Sequence, residues 1–363
     1  MYLMSTILII VFVSYWKCNT FRLLREAKIL LQTTQHKFPD RLLSPPITSL
    51  SKFKYLPKGK YLGYPILLCP DIGGSKLYNK SKLIWPIPQH LSPFMSNSES
   101  WKTIFELDQN GKDKKNISIK ADIVGKLDSI NILYKYGKTI SYSFHPLIFS
   151  LKRHNYKEDI NLFGAPYEFR KISNFTILLD FFTQLKEKIE FSLKKNKKPI
   201  ILVGHTLGGI ILNIFLTYHV SNKWKKSHIH KFIAIHVPFM GCNIADMALE
   251  SGTNEGIGIR SLAYNTNEWY HSIEKNMSGI HLLSTQSPNK FIQKLLIYRI
   301  QDPNVPIHII HGRSPLIKEN ELKIPDSWLT KPRIYTPINA SHKNIINNLY
   351  FLELFKNIIK NAI

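Results

Sequence analysis

The sequence contains few cysteines. Three occur among 363 residues, at positions 18, 69 and 242. They are too few and too scattered for the disulfide framework that stabilises many small secreted domains. Cys69 falls in an apolar run that predicts a buried strand, and Cys242 falls in a predicted loop. We therefore do not expect a structural disulfide.

Acidic residues are also scarce relative to basic ones. The chain has 25 Asp and Glu against 49 Lys and Arg, which gives a formal net charge of +24 and a pI near 9.7. Such a charge attracts a protein to anionic surfaces, whether membrane, nucleic acid or acidic polysaccharide. The sequence has no zinc-ligand spacing, no aromatic RNA-binding signature and no basic helix with heptads, so nucleic-acid binding is not expected. An anionic membrane surface is the partner that we predict.

The N-terminus lacks an apolar run long enough to span a bilayer. The run Ile7–Val13 fits the core of a signal peptide, although no Lys or Arg precedes it; an uncleaved anchor or a helix packed on the domain are the alternatives. We assign residues 1–20 to a signal peptide or anchor, and 21–60 to a basic arm and linker. We expect entry into the secretory pathway, with a secreted or membrane-associated protein. Glycosylation sequons then become relevant, and they begin at Asn116, Asn174, Asn276 and Asn339.

The rest of the chain predicts an α/β fold. Its length suits one large domain with insertions or two smaller ones, and an apolar content of 44% supports a substantial core. Short apolar runs alternate with amphipathic segments such as Phe175–Lys195, which implies a mostly parallel sheet flanked by helices. The predicted strands are Tyr64–Cys69, Ile200–Val203, Phe232–Val237 and Ile307–Ile310.

The segment around Thr206 has the pattern of a nucleophile elbow. The strand Ile200–Val203 leads into Gly-His-Thr-Leu-Gly-Gly and then into an apolar helix, which is the context that the G-x-S-x-G motif requires. A strand that simply ends in a glycine turn is the alternative for such a short match. Threonine stands in place of serine, and its β-branch makes the left-handed backbone of an elbow costly, by about 1 to 3 kcal/mol.

Four further segments resemble those of one family. They are Pro65–Leu77, Asn161–Arg170, Pro238–Asn243 with the stretch to Ile257, and Asn339–His342. With the elbow, they are similar to segments of the lecithin:cholesterol acyltransferase and lysosomal phospholipase A2 family of α/β-hydrolases, and the resemblance covers most of the chain beyond about residue 60. Asn161–Arg170 is the most specific of them, since it resembles the family segment L-x-G-A-P-Y-D-W-R.

The resemblance implies an α/β-hydrolase fold for residues 61–363. The stretch 83–101 is apolar without clean periodicity, which suits a mobile lid or, as the alternative, a loop packed on the sheet, and we expect cap segments near 102–155 and 243–300. The resemblance also implies roles for single residues. Thr206 would be the nucleophile, His342 the histidine of a triad, Ile72 and Leu207 the donors of oxyanion-hole amides, and Trp85 a lid residue in contact with substrate. An ordinary surface histidine is the alternative for His342, because it falls in a predicted loop. No metal or organic cofactor is implied, because acyl transfer through a hydroxyl needs neither.

The chain departs from the family pattern at several positions. The aspartate turn G-D-G-T-V is missing; Asp326 is the nearest acidic candidate, with Glu319 and Glu321 behind it, and all three also fit surface loops. Within Pro65–Leu77, the turn after the first strand resembles the family turn that carries one oxyanion-hole amide, and we call it the oxyanion turn. Asp71 replaces a glycine of this turn. Glu168 and Phe169 replace the usual Asp and Trp, and the paired cysteines of the family's lid are absent.

Two functions from different classes follow from this pattern. The first is a phospholipase A-type lipid acyltransferase that moves an acyl chain from a phospholipid to water or to an alcohol such as a sterol, attenuated by Thr206 and the missing acid turn. The alternative is a catalytically inactive lipid- or membrane-binding protein on the same fold, which the threonine, Asp71 and the missing turn favour.

Overall fold

The computed structural model describes residues 56–86, 98–136, 139–253, 267–312, 323–338 and 345–360. All of them belong to the larger of two units of the chain, Leu42–Ile363. The other unit, Met1–Arg41, lies outside the described residues, as do the predicted signal peptide and most of the basic arm. Among the described helices, none combines the length and the apolar character that a bilayer crossing requires.

Eleven strands are present in the described part of the chain, and we number them in chain order. They are β1 (Ile66–Cys69), β2 (Leu77–Asn79), β3 (Lys82–Trp85), β4 (Ile119–Ala121), β5 (Ile132–Tyr136), β6 (Thr139–Tyr142), β7 (Leu162–Gly164), β8 (Ile200–His205), β9 (Ile229–Ile235), β10 (Ile307–Gly312) and β11 (Arg333–Ile338).

Ten α-helices accompany these strands in the same described ranges. They are α1 (Ser98–Phe105), α2 (His145–Lys152), α3 (Phe175–Asn196), α4 (Leu207–Ile214), α5 (Asn222–His228), α6 (Asn243–Glu250), α7 (Asn267–Glu274), α8 (Ser278–Leu283), α9 (Lys290–Arg299) and α10 (Leu349–Lys360). The predicted amphipathic helix is confirmed as α3. Asn174 begins it by accepting hydrogen bonds from the amides of Thr176 and Ile177, and Lys197 ends it in a left-handed conformation.

The main sheet contains six parallel strands in the order β7-β1-β8-β9-β10-β11. Successive residues of β8 point into different apolar cores: Leu202 packs in one and Val203 in the other. The sheet is therefore covered on both faces, as its unbroken aliphatic runs predict. This parallel order with helices on both faces is the α/β-hydrolase arrangement that the sequence predicts.

The sheet changes its winding direction between β1 and β8. The next strand of this sheet in the sequence after β1 is β7, and it lies on one side of β1. All later strands of the sheet lie on the other side. In open α/β sheets, ligands bind at the carboxyl ends of the strands at such a switch point. The residues at those two ends are Pro70 to Ile72 after β1 and Thr206 after β8.

Smaller elements lie outside the main sheet. A three-stranded sheet in the order β3-β2-β4 and the hairpin β5-β6 lie between β1 and α2, and helices α6 to α9 lie between β9 and β10. The segment 83–101, which we predict to be a lid, has ordered structure at both ends. Trp85 ends β3 with its side chain buried, and α1 begins at Ser98. The stretch between them, 87–97, lies outside the described residues.

Candidate active site

Thr206 lies in a sharp turn between β8 and α4. Its backbone has φ 47° and ψ −110°, a region that residues other than glycine rarely adopt. The turn is held on both sides, because the Thr206 amide donates to the Ile235 carbonyl at 3.0 Å and the Thr206 carbonyl accepts from the Gly209 amide at 3.0 Å. Thr206 is 3% exposed. The strain that we predict for a threonine elbow is therefore present in the backbone.

The glycines around Thr206 are required by close packing. A Cβ at Gly204 would lie 2.4 Å from the Gly209 Cα, and a Cβ at Gly209 would lie 2.1 Å from the Val237 Cγ2. Both distances are far below van der Waals contact, so strand, helix and the neighbouring strand end can approach only because these positions lack a side chain. The pattern read in the sequence thus has a direct steric cause.

The turn after β1 lies against the start of α4. A Cβ at Gly208 would come within 2.3 Å of the Cys69 and Pro70 carbonyl oxygens. The structure thereby brings together three of the predicted site residues: Thr206, Ile72 and Leu207. Two backbone amides beside a hydroxyl-bearing elbow form the arrangement that stabilises the oxyanion of an acyl-transfer intermediate.

A carboxylate occupies the space between these two amides. The Asp71 Oδ1 accepts a hydrogen bond from the Ile72 amide at 2.6 Å and makes a longer contact, 3.5 Å, with the Leu207 amide. A single oxygen of Asp71 therefore stands where both predicted oxyanion-hole donors point. The sequence identifies Asp71 as a departure from the family's glycine, but it gives no indication that the side chain folds back over the two amides.

Two aromatic side chains fix the turn that carries Asp71. The Tyr167 hydroxyl donates to the Pro70 carbonyl at 2.9 Å, and the Trp85 Nε1 donates to the Gly73 carbonyl at 2.7 Å. Burial, with smaller contributions from Cys69 and Asp71, raises the pKa of Tyr167 well above its usual value. The hydroxyl of Tyr167 thus stays protonated and remains a donor.

Trp85 is a buried structural residue in this arrangement. It is 5% exposed, and its ring packs against Phe105 and Phe169 with centroid distances of 5.6 and 5.7 Å. Its contact with the oxyanion turn places it next to the site. Direct contact of Trp85 with a substrate stays a prediction.

The segment Asn161–Arg170 contributes a buried ion cluster. The Arg170 guanidinium, which is fully buried, donates to both carboxylate oxygens of Glu168, at 3.1 and 2.6 Å, and to Asp113 Oδ1 at 2.8 Å. It also donates to the Phe105 carbonyl at 2.5 Å. Lys171 contacts the same Asp113 carboxylate.

The cluster keeps the Asp113 carboxylate ionised. Burial alone would raise the pKa of Asp113, but the hydrogen bond from Lys171 and the positive charges of Arg170 and Lys171 outweigh it, and the pKa is lowered. Glu168 makes the bidentate contact to arginine at the position of the family's aspartate. The segment therefore ties the end of α1 and the loop at Asp113 to the chain that follows β7.

Of the remaining predicted site residues, only Asp326 lies within the described part of the chain. Asp326 is exposed, in a turn before β11. His342, Glu319 and Glu321 lie outside the described residues. The last described strand, β11, runs parallel to β8 and ends at Ile338, so the chain leaves it at the same sheet edge as Thr206, four residues before His342.

Comparison with known proteins identifies the family of the chain. The family described as lecithin:cholesterol acyltransferase matches residues 82–277, more than half of the chain. Lysosomal phospholipase A and acyltransferase of Bos taurus is 28% identical over 147 residues, which cover 40% of this chain and 35% of the relative. Lecithin-cholesterol acyltransferase-like 1 of Arabidopsis thaliana is 26% identical over 230 residues, which cover 53% of each.

A third relative has a similar extent. Phosphatidylcholine-sterol acyltransferase of Mus musculus is 28% identical over 145 residues, covering 40% of this chain and 32% of the relative. The chain thus spans about a third to a half of the length of the curated relatives it matches.

Among solved structures, a Bacillus licheniformis lipase in its mature form resembles 83% of this chain and 94% of its own, with a TM-score of 0.40 and 11% identity. A Pyrococcus furiosus esterase resembles 67% of this chain and 83% of its own, with a TM-score of 0.37 and 16% identity. Similarities at this level say nothing about the reaction. The family match, together with the elbow and its glycines, shows that the chain belongs to the lecithin:cholesterol acyltransferase family.

Proposed function

We propose that this protein is a lipid acyltransferase of the phospholipase A type, which takes an acyl chain from a phospholipid onto Thr206 and passes it to water or to an alcohol such as a sterol. The observation that carries the proposal is the strained Thr206 elbow beside the Ile72 and Leu207 amides at the switch point of the sheet. The names of the relatives, a lysosomal phospholipase A and acyltransferase and a phosphatidylcholine-sterol acyltransferase, support the same chemistry.

The proposed reaction has two steps. The Thr206 oxygen attacks the ester carbonyl carbon while His342 takes the hydroxyl proton, and the two amides bind the oxyanion that forms. Collapse of this intermediate breaks the ester bond, and His342 returns the proton to the departing lysophospholipid hydroxyl. Water or a sterol hydroxyl then attacks the acyl-threonine by the same route and releases Thr206.

The third member of the triad stays a prediction. Asp326 is the acidic candidate within the described residues, and it is exposed. In a serine hydrolase, loss of the acid costs about 10⁴ in rate, and loss of the nucleophile costs about 10⁶. An exposed acid and a crowded secondary hydroxyl both favour slow turnover.

Asp71 imposes a further requirement on catalysis. A carboxylate between the two amides both occupies the site of the oxyanion and repels its charge. For the reaction to proceed, we infer that the Asp71 side chain rotates away when the ester binds. The resting protein would then hold its oxyanion hole closed.

The same observation favours a second candidate function. If Asp71 stays in place, the chain is a lipid- or membrane-binding protein that retains the fold without the reaction. The net charge of +24 would draw such a protein to anionic membranes. Lipid binding without turnover is the outcome that this function predicts.

The test is acyl release and transfer from phosphatidylcholine vesicles containing a sterol. The proteins to compare are the wild type, Thr206→Ser, Thr206→Ala and His342→Ala. The acyltransferase predicts release by the wild type, more by Thr206→Ser, and none by Thr206→Ala or His342→Ala. A wild type that binds vesicles without release, and a Thr206→Ser variant that is equally silent, would support the inactive binding protein.

A further inference from the structure

A pocket is formed by residues outside the elbow and the turn after β1. It has a volume of about 430 Å³ and is formed by three parts of the chain: the segment before β1, the residue His154 after α2, and one side of α10. None of its lining residues belongs to the site around Thr206. Any ligand it holds therefore differs from the acyl substrate in position.

The lining of the pocket is strongly basic. Four lysines contribute to it, Lys58, Lys60, Lys356 and Lys360, against one carboxylate, Glu353. Lys356 is paired with Glu353, with 2.5 Å between its Nζ and the Glu353 Oε2. Within the part of the chain that the structure describes, the other three lysines form neither an ion pair nor a hydrogen bond. Three exposed lysines therefore line the pocket without a counterion among the described residues.

A buried histidine, His154, also lines the pocket. His154 is 5% exposed, and its Nδ1 bonds the Ser150 carbonyl oxygen at 2.9 Å. Because a carbonyl only accepts, the proton of the neutral ring is on Nδ1, and Nε2 carries the lone pair. No described residue gives Nε2 a hydrogen-bond partner. Nε2 is therefore the ring nitrogen left to contact a bound ligand.

Gly59 allows the chain to lie against this imidazole. A Cβ at Gly59 would stand 2.4 Å from the His154 Cδ2 and 2.7 Å from its Nε2. The Gly59 amide donates to the Arg153 carbonyl at 3.1 Å, which fixes the segment that carries Lys58 and Lys60. The lysines are thus attached to a backbone that is held next to the histidine.

We propose that this pocket binds a phosphomonoester, carried by a lipid headgroup or by a small soluble molecule. A phosphomonoester has a charge of about −1.5 to −2 at neutral pH and three terminal oxygens that accept hydrogen bonds. Three unpaired ammonium groups and a histidine match it better than they match a phosphodiester, which carries a single charge. This inference is independent of whether Thr206 is catalytic.

Binding experiments separate the two sources of the phosphate. The soluble probe is glycerol 3-phosphate, measured by calorimetry with the full-length protein. The lipid probe is cosedimentation with phosphatidylcholine vesicles containing phosphatidic acid, which carries the same headgroup. Vesicles with phosphatidylglycerol instead of phosphatidic acid supply a phosphodiester control. We expect the wild type to bind the phosphomonoester probes at least about tenfold more tightly than the phosphodiester vesicles.

A matched pair of variants separates the pocket from the general positive charge. Lys58→Ala, Lys60→Ala and Lys360→Ala together empty the pocket of unpaired lysines. The control variant removes three exposed lysines from elsewhere, through Lys194→Ala, Lys223→Ala and Lys226→Ala. Both variants lower the net charge equally, so a difference between them reports the pocket itself. We expect the pocket variant to lose at least about tenfold in phosphomonoester binding and the control variant to lose about twofold.

His154→Asn tests the imidazole without disturbing its structural bond. Asparagine keeps a donor for the Ser150 carbonyl and removes Nε2, so we expect weaker phosphomonoester binding and an unchanged melting temperature. Binding of glycerol 3-phosphate would support a soluble ligand, and binding confined to phosphatidic acid vesicles would support a lipid headgroup. Equal losses in the two lysine variants, or equal binding of phosphatidic acid and phosphatidylglycerol vesicles without any binding of glycerol 3-phosphate, would overturn the proposal.

Discussion

At the scale of single residues, Asp71 is the side chain most directly placed to limit activity, since its carboxylate faces the two amides that a substrate oxyanion would need. Asp71→Gly restores the residue of the family and removes the obstructing group. Loss of one oxyanion-hole donor costs an enzyme about 10² to 10³ in rate, so opening the blocked hole is expected to raise acyl release by about tenfold or more. The measurement is initial-rate fatty-acid release from phosphatidylcholine vesicles.

Asp71→Asn is the control that separates charge from occupancy. Asparagine has the same size and still presents a carbonyl oxygen to the Ile72 amide, so it removes only the negative charge. We expect it to be less active than Asp71→Gly and more active than the wild type. If Thr206→Ser increases the rate while both Asp71 variants leave it unchanged, Asp71 does not obstruct the hole in solution.

The predicted sequons differ in their accessibility, which gives a residue-scale test of the proposed secretory pathway. Asn116 and Asn174 are exposed, and Asn174 uses its Oδ1 to begin α3, so its Nδ2 is available to a glycan. Asn276 is half-buried and donates its Nδ2 to the Leu107 carbonyl at 3.3 Å. After expression in secreting eukaryotic cells, peptide mass spectrometry should find glycans at Asn116 and Asn174 and none at Asn276. Glycosylation of Asn276 alone would contradict this.

At the scale of elements, the Arg170 cluster joins α1 and the loop at Asp113 to the segment that follows β7 of the main sheet. Glu168→Ala leaves a fully buried guanidinium with part of its charge uncompensated, and we expect a loss of about 3 to 5 kcal/mol in the free energy of unfolding. Urea unfolding is the measurement. Lys186→Ala is the control, since it removes the exposed pair with Glu190 and should cost about 1 kcal/mol or less. Losses of equal size would show that Arg170 finds other partners.

The sequence predicts which segments form strands more accurately than it predicts where those strands begin and end. The strand predicted as Tyr64–Cys69 begins only at Ile66, because Pro65 has no amide to donate to a ladder. The strand predicted as Phe232–Val237 spans Ile229–Ile235, because His236 has φ 52° and leaves the β region. Apolar periodicity identifies which segments form strands, whereas single backbone angles decide where they stop.

The candidate site is predictable from the sequence only as far as its backbone. The elbow glycines require contacts that the pattern already implies, and the structure brings Thr206, Ile72 and Leu207 together as expected. The orientation of Asp71 is a different matter, because its second amide partner lies 136 residues further along the chain. A local motif cannot predict a side-chain rotamer that depends on a contact so distant in the sequence.

At the scale of the whole molecule, buried histidines make stability depend on pH. Burial, together with Lys231 and other nearby cations, lowers the pKa of His230 and of His308 to about 4, and burial alone lowers that of His311 to about 4. Unfolding returns each pKa to about 6.5, so the unfolded chain binds more protons between these values. Their contribution to stability is therefore present above about pH 6.5 and is lost as the pH falls towards 4.

Glu274 acts in the opposite direction. It is fully buried, accepts a hydrogen bond from the Thr253 amide at 2.9 Å, and burial raises its pKa to about 8. Its neutral form stabilises the fold below the unfolded pKa of 4.5, and this contribution decreases as the pH rises towards 8. Three histidines outnumber this one glutamate, so below neutral pH the net effect of acid should be destabilising.

We therefore expect the melting temperature to fall steadily between pH 6.5 and 4.5. His311→Leu should make that fall shallower, because it removes one of the three groups, and the Nδ1 of His311 has no hydrogen-bond partner among the described residues to lose. Glu274→Gln should leave the acid limb as steep as in the wild type or steeper and flatten the decline towards pH 8, since glutamine retains an acceptor for Thr253 without ionising. The measurement is the melting temperature of the wild type and the two variants from pH 4.5 to 8. A wild-type melting temperature that rises on acidification would mean that the histidines are already charged in the fold.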